Sequence, residues 1–79
     1  MNIIQDVAAI IKSISKVDIF INDGVNKTFK ELEIDSLDLM NILLEVEEKF
    51  NISIPEDDLI KPNETVNMLI EQISKLIDS

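Results

Sequence analysis

Seventy-nine residues make one domain, residues 1–79, without room for a second, and a chain this short buries only about 60% of the surface its unfolded form exposes. Sixteen acidic residues against seven basic ones give a net charge of −9, which repels nucleic acid and anionic lipid and suits either a basic protein partner or simple solubility. The absence of Cys and His excludes a disulfide framework, a thiolate metal site and the commonest general base, and no apolar stretch is long enough to span a membrane.

The first apolar residues, Ile3, Ile4, Val7, Ile10, Ile11 and Ile14, follow the i, i+3, i+4 rhythm of one helical face and predict a helix over about Asn2 to Lys16. Gln5 and Asp6 interrupt this stretch and no basic residue precedes it, so it makes a poor signal peptide and a cytoplasmic protein is expected. From Val17 to Asp35 no helical period is sustained, and Asn22-Asp23-Gly24 supplies residues that tolerate positive φ, so a long ordered loop is expected. Within it Thr28-Phe29-Lys30-Glu31 reads as a capping box, a single helical turn that would hold Phe29 and Leu32 against the core. The alternation of Val17, Ile19 and Ile21 lacks a partner strand and does not predict one.

Asp35-Ser36-Leu37-Asp38 opens a second helix, with Asp or Ser as the cap and Asp38 in the first turn, continuing to about Phe50 and ended by Asn51. Ile52-Ser53-Ile54 is extended, Pro55 begins a short helical turn with Glu56, Asp57 and Asp58 at its start, and Lys61-Pro62 stops it. Thr65 caps the last helix, whose apolar positions are Val66, Leu69, Ile70, Ile73, Leu76 and Ile77. The fold expected is all-α, a four-helix bundle of three long helices, one short helix and a long first loop.

Laid out at about 100° per residue, the second helix carries Leu39, Ile42, Leu43, Val46 and Phe50 on one core-facing stripe. Leu37, Met40 and Leu44 form a separate apolar strip bordered by Asn41, Glu47 and Glu48. That strip either widens the core contact or serves reversible docking, for which apolar residues edged by carboxylates are suited. Ser36 has no nearby base and so is a poor self-activated nucleophile; no catalytic residue and no resident metal site is read from the sequence. On its local sequence alone Ser36 is read as a helix cap; as an acceptor it would hold a phosphodiester among free backbone amides at the positive end of the helix dipole.

The run Phe29-Lys30-Glu31-Leu32-Glu33-Ile34-Asp35-Ser36-Leu37-Asp38 resembles the modification site of acyl carrier proteins. Glu45-Val46-Glu47-Glu48-Lys49-Phe50-Asn51-Ile52-Ser53-Ile54-Pro55 follows at that family's spacing, and Thr65-Val66 opens the last helix as it does there. The resemblance implies that Ser36 bears 4'-phosphopantetheine, a covalent cofactor transferred from coenzyme A by a phosphopantetheinyl transferase. The arm's thiol would carry acyl groups as thioesters, most directly in fatty acid biosynthesis or a related dedicated pathway. Asp35 matches the aspartate that helps hold Mg²⁺ during that transfer. Leu37, Asp38, Met40, Asn41, Leu44, Glu47 and Glu48 match the face read by basic patches on acyl transferases and synthase enzymes. Leu39, Ile42, Val46, Ile54, Leu59 and Ile60 are the expected lining of an acyl-chain pocket, where each buried methylene gains about 0.8 kcal/mol. No enzymatic activity, nucleic acid or membrane partner is implied, and a monomer is expected.

The chain departs from the family at Glu33, where Gly is usual, at Asn41, which replaces a common acidic residue, and at Glu45, where a small apolar residue is more frequent. Two other readings remain and a third is excluded. A polyketide or peptidyl carrier is the nearest, although peptidyl carriers are typically less acidic; an unmodified helical adaptor would use the same strip without a cofactor. A calcium-binding loop at Asn22-Asp23-Gly24 is rejected, because that alignment puts Ile19, Ile21 and Lys30 at ligand positions.

Overall fold

The computed structural model describes residues 2–78, which form three α-helices: α1 at Ile3–Ser15, α2 at Ser36–Phe50 and α3 at Val66–Asp78. Among the described residues there is no strand. One isolated antiparallel bridge pairs Thr28 with Thr65 and ties the first loop to the start of α3, with Phe29 N–H donating to the Glu64 carbonyl and Val66 N–H to that of Lys27. The expected short fourth helix is a three-residue 3-10 turn, Glu56–Asp58, and a second such turn, Gly24–Asn26, lies in the first loop. Three residues do not repay the cost of nucleating an α-helix, so the Pro55 start signal opens only one tight turn.

Each helix end is chemically marked. Asn2 caps α1 by accepting from Gln5 N–H at 3.1 Å, Asp35 caps α2 by accepting from Asp38 N–H at 2.8 Å, and Thr65 Oγ1 accepts from Met68 N–H at 3.1 Å at the start of α3. At the other ends, Lys16 and Asn51 take left-handed conformations that stop α1 and α2.

The core is wholly apolar: Val7 and Ile11 from α1, Leu39, Ile42, Leu43, Val46 and Phe50 from α2, and Val66, Leu69 and Ile73 from α3 are all buried. No polar residue is classed as buried among those described. Ile77, expected among the apolar positions of α3, lies in its last turn and is 37% exposed.

The first loop is pinned from both sides. Ile19 and Phe29 are fully buried, and the Thr28 to Glu31 capping box forms reciprocally, with Thr28 N–H donating to Glu31 Oε1 at 2.9 Å and Glu31 N–H to Thr28 Oγ1 at 3.0 Å. Positive φ falls on Asn22 and Asp23 rather than on Gly24; the glycine serves a close approach instead, since a Cβ there would lie 2.8 Å from the Ile19 Cα. The capping-box turn closes with Ile34 N–H on the Phe29 carbonyl and Glu33 N–H on that of Lys30. This is a Schellman arrangement, with Glu33 in the left-handed position and Phe29 and Ile34 buried. That closure delivers the chain to Asp35 and sets where α2 begins.

Candidate functional site

Because the Asp35 side chain caps α2, Ser36 is the first helical residue and not the cap. Ser36 is exposed, and its hydroxyl makes no hydrogen bond among the described residues. The free amides of the first turn and the positive end of the helix dipole surround it, an arrangement that favours an anion on its oxygen.

An open groove of about 520 Å³ begins at Ser36 and runs between α2 and the segment 54–62. Leu39, Met40, Leu43 and Leu44 line it from α2, and Ile54, Leu59, Ile60 and Pro62 line it from the facing segment. Of the six residues expected in an acyl pocket, Leu39, Ile54, Leu59 and Ile60 border this groove. Ile42 and Val46 do not; both are fully buried in the core. At about 100° per residue Ile42 stands about 120° and Val46 about 80° around α2 from Ser36, toward the core-facing side, where both are covered. Ser36, Met40, Leu43 and Glu47 follow one another at i, i+4, i+7 and i+11, and all four border the groove. That spacing is present in the sequence and places Leu43, expected only in the core, on the groove with Met40.

The strip expected for docking is exposed at its apolar positions, Leu37 at 67%, Met40 at 60% and Leu44 at 57%. Asn41 and Glu48 are exposed beside them. Two of the carboxylates are engaged within the chain. Asp38 is half-buried, with Oδ2 accepting from Ser15 Oγ at 3.3 Å, and Glu47 is half-buried, with Oε2 accepting from Ile54 N–H at 2.7 Å. Asp38 steps around the helix toward α1, and Glu47 overhangs the chain leaving α2, so neither sits on the strip as an uncommitted charge.

Asp35 is exposed and uses Oδ1 for the cap. Among the described residues no group of three or more acidic side chains is arranged to hold a metal ion. No described helix is long and apolar enough to cross a membrane. Glu31, in the capping box below the site, has its carboxyl held below the usual range by the hydrogen bonds from the Thr28 backbone and side chain, with Lys27 adding to the effect against a small opposing cost of burial.

The sequence model of the phosphopantetheine attachment site matches residues 5–73. The acyl carrier protein of Campylobacter lari is 33% identical over 78 residues, covering 95% of this chain and 100% of that protein. The chain is a member of the acyl carrier protein family.

Another relative, the acyl carrier protein homolog of Mycoplasma pneumoniae, is 31% identical over 71 residues, 85% of this chain and 84% of that protein. No solved structure gives a significant match. Members of the acyl carrier protein family are carriers and not catalysts; they hold a covalently attached 4'-phosphopantetheine and work with synthase and transferase enzymes. An exposed, unbonded serine hydroxyl at a helix start, opening on an apolar groove, fits that group.

Proposed function

We propose that this chain carries acyl intermediates as thioesters on a 4'-phosphopantetheine arm attached at Ser36. The observation that supports this attachment point is the division of labour at the start of α2: Asp35 does the capping, and the Ser36 hydroxyl stays exposed at the mouth of the groove. Bound there, the arm supplies the thiol on which the acyl group rides. Ser36 Oγ holds the ester, the amides of the first turn of α2 stabilise its negative charge, and Asp35 offers its second carboxylate oxygen to Mg²⁺ during loading.

The groove offers apolar lining for the cargo. Its walls carry Leu39, Leu43, Ile54 and Leu59, and each methylene that leaves water for such a surface gains about 0.8 kcal/mol. Leu37, Met40 and Leu44, with Asn41 and Glu48 beside them, form the face offered to basic patches on a phosphopantetheinyl transferase and on acyl transferase and synthase enzymes. The net charge of −9 favours rapid encounter with such patches and a grip that weakens with salt. Strong acidity also supports a fatty acid pathway, or one closely related to it; a monomeric, cytoplasmic protein completes this reading.

The test is loading. Incubated with coenzyme A, Mg²⁺ and a broad-specificity phosphopantetheinyl transferase, the protein gains the mass of one arm, and Ser36→Ala gains none. An unchanged mass with a transferase shown to be active on another carrier overturns the assignment and favours an unmodified adaptor. Mass spectrometry of the arm ejected from natively isolated protein identifies the cargo and with it the pathway.

A further inference from the structure

The segment 54–60 that walls the groove is a thin partition with space on both sides. On its α2 side lies the groove of about 520 Å³, and on its α3 side lies a second depression of about 440 Å³ lined by Met68, Gln72 and Leu76. Leu59 borders both spaces and is half-buried. Ile54 and Ile60 seat the partition's ends in the core, while Glu56, Asp57 and Asp58 between them are exposed.

One side-chain clasp holds the partition to each neighbouring helix. At its beginning, Ile54 N–H donates to Glu47 Oε2 at 2.7 Å, and the same Glu47 accepts Ile52 N–H on its backbone carbonyl at 3.1 Å, so the chain's exit from α2 is fixed by a single residue. Near its other end, Gln72 Nε2 donates to the Asp58 carbonyl at 2.6 Å. The two clasps differ in strength. The first is a charge-assisted bond; the second leaves Gln72 Oε1 buried without a partner among the described residues, so opening it lets water reach a carbonyl that has none.

We propose that the partition is a gate for the acyl chain, with Glu47 as its hinge-side positioning residue and Gln72 as its latch. Cargo entering from Ser36 displaces Leu59 toward α3, widening the groove at the expense of the empty depression behind it, while Glu47 keeps Ile54 in place. The gate rests on the reading of the groove as the cargo site; the two clasps do not.

Amide hydrogen exchange on the full chain tests the clasps without any cargo. Glu47→Ala is expected to speed exchange at Ile54 by roughly tenfold or more, with Glu47→Gln, which keeps an acceptor, restoring most of the protection. Gln72→Leu is expected to speed exchange at Asp58 and Leu59 while the melting temperature shows the chain still folded. Unchanged exchange at these amides overturns the proposal.

Hydroxylamine cleavage of an octanoyl thioester loaded on the arm then tests the gate, and the two clasps predict opposite signs. Gln72→Leu lowers the cost of admitting the chain and slows cleavage several-fold. Glu47→Ala leaves the wall ill-placed and speeds cleavage, and Glu47→Gln behaves as the parent. A merely structural role for Gln72 would not slow cleavage, so equal or faster cleavage in Gln72→Leu overturns the gate. If the exchange results hold but octanoyl and acetyl thioesters are cleaved alike in every variant, the cargo reading of the groove fails and the gate falls with it. A chain that cannot be loaded at all overturns instead the assignment of Ser36.

Discussion

Asp35 Oδ1 accepts the backbone N–H of Asp38 at 2.8 Å, and this bond leaves the neighbouring Ser36 hydroxyl without a capping duty. The same carboxylate therefore has two separable tasks, one in stability and one in loading. Asp35→Ala is expected to cost about 1 kcal/mol by removing the cap, read from chemical denaturation. Asp35→Asn keeps a good cap and loses the charge, so its stability should match the parent while Mg²⁺-dependent loading slows. Equal loading by the Asn variant would show that Asp35 is a cap alone.

Glu33 occupies the left-handed position of a Schellman turn, with φ of 60°. A side chain at such a φ crowds its own carbonyl, a penalty that glycine escapes. Glu33→Gly should stabilise the protein by about 1 kcal/mol, which for a chain this size raises the melting temperature by roughly 4–8 °C. The departure from the family at this residue is thus a conformational cost, and thermal melting of the single variant measures it.

The three helices and the Thr65 cap were legible because their signals are local: Val7 and Ile11, Leu39 and Leu43, and Leu69 and Ile73 recur at helical spacing, and Thr28 with Glu31 announces its own turn. Ser36 was legible as a helix start but divided between cap and acceptor, and the Asp35 to Asp38 bond removes the cap reading. What stayed hidden depends on where distant backbone lies. Glu47 reads as a surface carboxylate until Ile54, seven residues on, is folded beneath it. Ile42 and Val46 were legible as members of the core stripe, and the position of segment 54–62 shows that the groove runs past them along Leu39, Met40 and Leu43.

Leu44 and Ile42 are close in size and stand two residues apart, one 57% exposed and the other fully buried. Ile42→Ala should cost about 2–5 kcal/mol through lost burial and the cavity left behind, whereas Leu44→Ala should stay within about 0.5 kcal/mol of the parent. If the exposed strip is a docking face, Leu44→Ala will nevertheless raise the KM of the loading transferase for this protein. Denaturation curves and loading kinetics on the two variants separate core from interface.

Gly24 lies against the backbone of Ile19, and a Cβ at this residue would sit 2.8 Å from the Ile19 Cα and 2.9 Å from its carbonyl oxygen. Backbone cannot rotate aside as a side chain can. Gly24→Ala should therefore destabilise by about 1–3 kcal/mol as the loop shifts and Ile19 is partly drawn from the core. Urea denaturation gives the size of the loss, and faster amide exchange in the 3-10 turn Gly24–Asn26 locates it.

Glu31 accepts the N–H of Thr28 and holds closed the turn that leads to Asp35 and Ser36. Its carboxyl lies below the ordinary range because those Thr28 hydrogen bonds favour the ionised form, so the folded turn binds the proton less readily than the unfolded chain does. The contribution is therefore fully present above the unfolded carboxyl's pKa and is lost as pH falls through the lower, folded one. Protection of the Thr28 amide should decline over that acid window and not near neutrality. Glu31→Gln retains an acceptor that does not titrate, so its Thr28 amide should show no such decline from this group. A Glu31 side-chain carbon titration by NMR fixes the midpoint, and a midpoint at or above the value of an unfolded peptide would contradict the assigned cause.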